Sequence, residues 1–230
     1  MTAFHKSSVF NFQYSRPSVF ALFTALSLVL SAQFSAAQTW HAVRWVNDGD
    51  TIVLMSGQRV RYIGINAPEI DHDDKKAQPY GYRARAFNQD LIRSGKIRLE
   101  YDIERFDRYG RVLAYVFLED GTFLNARLLQ AGLAFCLYRK PNVKYHNILL
   151  KAQQDAMELK RGLWRCWTEP ENKYIGNQAS QRFHLSSCPV AQKIKSKNKI
   201  TFFKKWDAFS KGYAPSIKCI DEFWSYKAGE

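Results

Sequence analysis

Asn47-Asp48-Gly49-Asp50-Thr51 has the composition of a tight turn, and it joins Trp40 to Val46 with Thr51 to Met55, two runs that alternate bulky apolar and polar residues. The two runs predict a β-hairpin. Ser56-Gly57 turns the chain into Arg59 to Ile65, a third strand that Pro68 ends, and Ile70 to Pro79 reads as a mobile polar loop. Ala84, Phe87, Leu91 and Ile92 recur at helical spacing within Gly81 to Ser94. Lys96 to Tyr101 and Arg111 to Leu118 form the next strand pair, and Phe123 to Leu133 and Tyr145 to Lys160 form two more helices. This order predicts an α+β protein, a five-stranded OB-type β-barrel capped by three helices.

Working outward, residues 1–37 read as a signal peptide: Lys6 and Arg16 supply charge, Val19 to Leu30 is apolar, and Ser35-Ala36-Ala37 suits cleavage. The expectation is a secreted or periplasmic protein with no stable membrane association after cleavage. Residues 38–168 form the barrel domain, Glu169 to Asn177 a linker marked by Pro170 and Gly176, and 178–230 a small cysteine-containing basic α+β module. Of 230 residues, 46% are hydrophobic and 15% aromatic, which argues against disorder. The formal charge of +13 favours a polyanionic partner, since clustered Lys and Arg bind phosphate backbones by releasing counterions. A membrane surface fits that number equally well but explains none of the residues discussed next.

Asp50 enters a strand, where Asp is disfavoured, and it meets a second cluster, Ile65 to Glu69, once the hairpin folds back. Carboxylates with carbonyls and water are what a hard cation such as calcium takes as ligands. Arg61 and Arg111 lie in strand runs, and planar guanidinium forks match phosphate oxygens. Glu69, fixed by Pro68, is placed to orient or deprotonate a water. For Asp48, a solvated or backbone-capping role in the turn is the bland alternative.

Several of these motifs occur in order: Asp48-Gly49-Asp50-Thr51, Arg61, Ala67-Pro68-Glu69, Asp107-Arg108-Tyr109-Gly110-Arg111, Gln130-Ala131-Gly132-Leu133-Ala134, Lys140-Pro141-Asn142 and Gly162-Leu163-Trp164. Together, across roughly residues 41 to 167, they resemble the thermonuclease family, whose best-known member is the staphylococcal nuclease. The resemblance implies an OB-fold endonuclease that uses calcium, or another divalent cation, to cleave DNA and RNA and leaves 5′-hydroxyl and 3′-phosphate ends. It makes Asp50 a calcium ligand and Ala67 a carbonyl donor. Glu69 becomes the general base, Arg61 and Arg111 the phosphate-binding pair, and Tyr109 and Tyr138 aromatics near the nucleotide. Asn66 departs from the family, which usually has an aspartate ligand there; an amide oxygen removes one negative charge. The alternative is a non-catalytic nucleic-acid-binding protein with a weakened metal site.

The tail, with Tyr174-Ile175-Gly176-Asn177, Phe183-His184-Leu185, Cys188-Pro189 and Gly212-Tyr213, resembles the cysteine-rich module of the methylphosphotriester DNA repair protein, which can bind zinc. Ser216 stands where a closing cysteine belongs, so His184, Cys188 and Cys219 are too few for a closed zinc site. A disulfide between Cys188 and Cys219 is the expectation, with Cys136 and Cys166 as the other pair respecting the domain split. Lys193, Lys195 and Lys197 begin a basic run interleaved with Phe202, Phe203 and Trp206, suited to nucleic acid by charge and stacking. A solvated lysine face with its aromatics in the core is the other reading.

Overall fold

The computed structural model describes residues 39–71 and 76–220. The expected signal peptide, residues 1–37, and part of the loop before Pro79 lie outside them. Strands β1 (Trp40–Val46), β2 (Thr51–Leu54), β3 (Arg59–Tyr62), β5 (Lys96–Glu100) and β6 (Val112–Phe117) close a barrel in the order β1-β2-β3-β6-β5. β1 and β2 pair antiparallel about the Asn47 to Asp50 turn, as the alternation predicts. The third strand run is shorter than expected. Tyr62 ends β3, and β4 (Ile65–Asn66) leaves the barrel to pair with β7 (Phe135–Cys136).

Three helices cap the barrel: α1 (Gly81–Leu91), α2 (Leu124–Gln130) and α3 (His146–Glu158). Each is shorter than its periodic run, because the last apolar residues of a run pack on after the helical hydrogen bonds have stopped. Ile52, Val60, Ile65, Ile97, Ala114, Leu124, Leu128 and Leu129 are fully buried in the barrel core. Burying a side chain of this size contributes about 1.5–3 kcal/mol. Two buried amides tie the layers together. Asn88 of α1 accepts from the Tyr62 hydroxyl at 3.1 Å and donates to the Gly49 carbonyl at 3.3 Å. Asn125 of α2 accepts from the Val116 amide at 3.0 Å and donates to the Ile63 carbonyl at 2.8 Å.

Beyond a short 3₁₀ turn at Gly162–Trp164 come β8 (Tyr174–Asn177), β9 (Arg182–Leu185), α4 (Pro189–Gln192), β10 (Lys199–Phe202), α5 (Lys205–Ser210) and β11 (Ala214–Pro215). The strands form a sheet in the order β10-β8-β9-β11. Tyr174 to Asn177, read as the end of a linker from its glycine, is the sheet's second strand. Gly176 sits there because a Cβ would come within 2.6 Å of Ile200 and 2.7 Å of Phe202. The tail shares its core with the barrel's helices. Phe135, Ala156, Met157 and Trp164 pack with Tyr174, Phe183, Phe202 and Phe209, and Gln153 of α3 donates to the Phe209 carbonyl at 2.6 Å. The boundary expected at 169–177 therefore falls beside a common core, and residues from Thr39 onward belong to one compact unit.

Candidate active site

Backbone contacts at two glycines assemble the site. A Cβ on Gly49 would lie 2.5 Å from the Ala67 Cβ and 2.7 Å from the Ala84 Cβ, so the Asp48-Gly49-Asp50 turn can press against Ala67 only without one. A Cβ on Gly81 would lie 2.3 Å from the Glu69 carbonyl oxygen, which lets the start of α1 hold the segment bearing Glu69. Gln78 completes that hold: its side-chain oxygen accepts from the Glu69 amide, and its own amide donates to the Glu69 carbonyl, both at 2.9 Å.

Asp50 is 3% exposed. Its carboxylate accepts from the Ala67 amide at 2.6 Å and pairs with Arg61 Nη2 at 3.0 Å. Burial pushes the Asp50 carboxyl up to about 8; Arg61 pulls it down and Asp48 pushes it further up. Arg61 is engaged inward, donating through Nη1 to the carbonyls of Tyr62 (2.9 Å) and Ile65 (3.0 Å) and through Nη2 to Asn66 Oδ1 at 2.9 Å. The Asn66 amide nitrogen lies 3.4 Å from the Ala67 carbonyl oxygen. So Asn66 gives its oxygen to an arginine, and the negative charge an aspartate would add is missing.

Arg111 differs. Its Nε donates to Asp107 Oδ2 at 2.8 Å and its backbone amide to Asp107 Oδ1 at 3.0 Å, and among the described residues its terminal nitrogens make no hydrogen bond. Burial raises the Asp107 carboxyl, but the bonds from Arg111 and from the Tyr109 amide outweigh it and hold the group below its ordinary value. Asp107 is a positioning residue that aims the free end of Arg111. Asp107→Asn weakens this aim and is expected to lower kcat/KM about tenfold, mainly through kcat. Steady-state kinetics on a defined oligonucleotide check it, and unchanged kcat would remove the role.

Arg61, Asn66, Glu69, Tyr109 and Arg111 line one cleft of about 950 Å³. A family model described as staphylococcal nuclease homologue matches residues 59–166, which include all five. Over 130 residues the chain is 41% identical to a thermonuclease of Staphylococcus hyicus, an alignment covering 55% of this chain and 76% of that protein. The chain belongs to the staphylococcal nuclease family. It is likewise 41% identical to a thermonuclease of Staphylococcus intermedius over 127 residues, 54% of this chain and 75% of that protein. With the endonuclease YncB of Bacillus subtilis it shares 41% identity over 122 residues, 51% of this chain and 57% of that protein.

Within this nuclease framework some expected residues are elsewhere. Tyr138 does not line the cleft; it packs edge to face on His146 at 4.8 Å, and its neighbours Leu137 and Arg139 line the cleft instead. Alternation along an extended segment sends adjacent side chains to opposite sides, so a displacement of one residue exchanges them. Tyr109 is at the cleft, 59% exposed, with Arg111 5.6 Å above its ring. Lys193, Lys195 and Lys197 are exposed but outside the cleft, and of the aromatics near them Phe202 is in the core while Phe203 is exposed.

All four cysteines are free thiols, so neither expected pairing is formed. Cys136 is buried between barrel and tail, and burial pushes its thiol up to about 12, whereas Cys166 is exposed. Cys188 and Cys219 do come together, with His184 as the third member; its Nδ1 is 3.4 Å from Cys219 Sγ and 3.9 Å from Cys188 Sγ. Sequence reasoning missed Arg139, Arg182 and Lys218 at the cleft. Arg139 adjoins a motif already singled out, Lys140-Pro141-Asn142, whereas nothing in the local sequence marks Arg182.

Proposed function

We propose that this protein is an exported, calcium-dependent endonuclease that hydrolyses DNA and RNA with little sequence preference and leaves 5′-hydroxyl and 3′-phosphate ends. Its enzyme class follows from the family, a nuclease hydrolase. The observation that carries the finer reading is the convergence of Arg61, Glu69 and Arg111 on one cleft beside the buried Asp50. In this reading Glu69 takes the proton of a water that attacks phosphorus, and the P–O5′ bond breaks. Arg111, its free nitrogens aimed by Asp107, holds the non-bridging oxygens as charge builds on them.

The donor set beside Asp50 suits a hard cation. It is oxygen only, it includes the buried carboxylate of Asp50, and the soft ligands His184, Cys188 and Cys219 lie apart in the tail. Asp50 and the Ala67 carbonyl would hold calcium, with the Asn66 amide oxygen joining if it leaves Arg61. Bound there, the ion supplies positive charge at the attacked phosphate. Among the described residues no helix is long and apolar enough to cross a membrane.

The engaged oxygen of Asn66 favours a second reading, a nucleic-acid binder with slow or absent turnover. One experiment separates the two. Purified protein is incubated with DNA and with RNA, with calcium and with chelator, and fragment length is followed. Both substrates are expected to shorten only with the cation, and the new 5′ ends to accept phosphate from a polynucleotide kinase without prior phosphatase treatment. Intact nucleic acid under every divalent cation would leave only the binding reading.

A further inference from the structure

The cleft has a wall that the family match does not include. Residues 59–166 contribute Arg111 and Arg139, but Arg182 and the segment Pro215 to Ile220 also line the same space. This segment is a built wall. Ala214 and Pro215 pair in parallel with Arg182 and Phe183, the Ser216 amide donates to the Phe183 carbonyl at 2.9 Å, and the amides of Cys219 and Ile220 donate back to the Ser216 carbonyl at 3.1 and 3.0 Å.

Its charge is unusual. Arg182 is partly buried, and its Nη1 is held by the carbonyls of Tyr138, Gln181 and Ser180 at 3.1, 3.3 and 3.4 Å, which satisfy the donor without neutralising it. Burial lowers the Arg182 guanidinium from its ordinary value, and Arg139 nearby pushes it the same way. Among the described residues neither of these arginines, nor Lys218, forms an ion pair. Glu69, Glu104 and Asp107 also line the cleft, but Asp107 is paired with Arg111 and none of the three forms an ion pair with Arg139, Arg182 or Lys218, and like charges left without a counterion make a place for an anion.

We propose that Arg139, Arg182 and Lys218 form a second phosphate subsite, which holds the backbone of a single-stranded nucleic acid beyond the bond being cut. This rests on the nuclease reading for the identity of the chain held there. The cleft favours a single strand over a duplex, because its exposed apolar surfaces, Tyr109 at 59% and Ile217 at 84% exposure, suit the faces of unstacked bases. The tail thereby becomes part of the substrate-binding surface, and its basic character acts at the cleft rather than through the lysines of residues 193–197.

The test uses the full-length protein and a fluorescein-labelled oligothymidylate in chelator, so that binding is read without cleavage. Arg139 and Lys218 are both exposed, so Arg139→Gln with Lys218→Gln removes the charges without touching the core. Affinity is expected to fall about tenfold at 0.1 M salt, and the slope of log affinity against log salt to fall by about 1.4, about 0.7 for each lost phosphate contact on a single strand. A charge-matched control, Arg93→Gln in the turn after α1 with Lys151→Gln on α3, lies on exposed surface away from the cleft and is expected to change the slope by less than half as much. Equal slopes for the two pairs, or no change in the cleft pair, would overturn the subsite. Failure of the nuclease reading is a separate outcome: it shows as intact DNA and RNA with the unsubstituted protein and calcium, and leaves the binding result standing.

Discussion

Glu69→Gln is expected to lower kcat on DNA by about 10²- to 10⁴-fold, the usual worth of a positioned proton acceptor, while the dissociation constant for DNA moves by about twofold or less. The substitution is nearly isosteric. It removes the proton acceptor but leaves the backbone where Gln78 and the close approach at Gly81 hold it, so the geometry of the segment persists. Turnover is read in single-turnover cleavage with saturating calcium, and binding in a parallel titration with chelator. Equal loss of binding and turnover would make Glu69 a structural or substrate-binding residue, and unchanged turnover would remove it from the chemistry.

The second large effect is at Arg61, where charge and fold are coupled. Arg61→Ala removes the counterion of a carboxylate that is 3% exposed, and breaking a buried pair from one side typically costs about 3–5 kcal/mol. Burial already raises the Asp50 carboxyl and losing Arg61 raises it further, so protonation of Asp50 offsets part of that loss. A net destabilisation of about 3 kcal/mol corresponds to a fall in Tm of about 10 °C for a unit of this size. Arg61→Lys keeps the charge but loses the fork that reaches the carbonyls of Tyr62 and Ile65 together with Asn66. It is expected to recover more than half of the Tm loss while kcat stays at least tenfold low. Thermal melts and cleavage assays on both variants check this. If lysine restored both properties, or alanine left Tm unchanged, the guanidinium geometry would not matter as described.

The barrel was legible because its information is local. Trp40 to Leu54 alternate along the chain as they alternate across the sheet, and the turn between them is marked by its own residues. Arg61, Glu69, Tyr109 and Arg111, proposed as site residues from short motifs near strand ends, line one cleft, with Asp50 paired to Arg61 beside it. Errors came where one residue of displacement matters or where a partner is distant. Tyr138, expected near the nucleotide, packs on His146 while its neighbours Leu137 and Arg139 line the cleft, since adjacent side chains in extended backbone point opposite ways. The linker at 169–177 was read from Pro170 and Gly176, but Gly176 serves close packing in a sheet whose other strands lie later in the chain.

By itself the sequence determined the barrel, its caps, and the acids and arginines of the nuclease site, because hydrophobic period and turn chemistry act over a few residues. Only the tertiary structure decided that the tail shares the barrel's core, that Asn66 gives its oxygen to Arg61, and that His184, Cys188 and Cys219 meet as free groups. It also decided that Arg182 and Lys218 share a cleft with Arg111. Apart from the Asn66–Arg61 bond and the His184–Cys188 approach, these are contacts between segments far apart along the chain. They are fixed by the packing of β8 to β11 against α3, for which no periodicity in either segment alone is a sign.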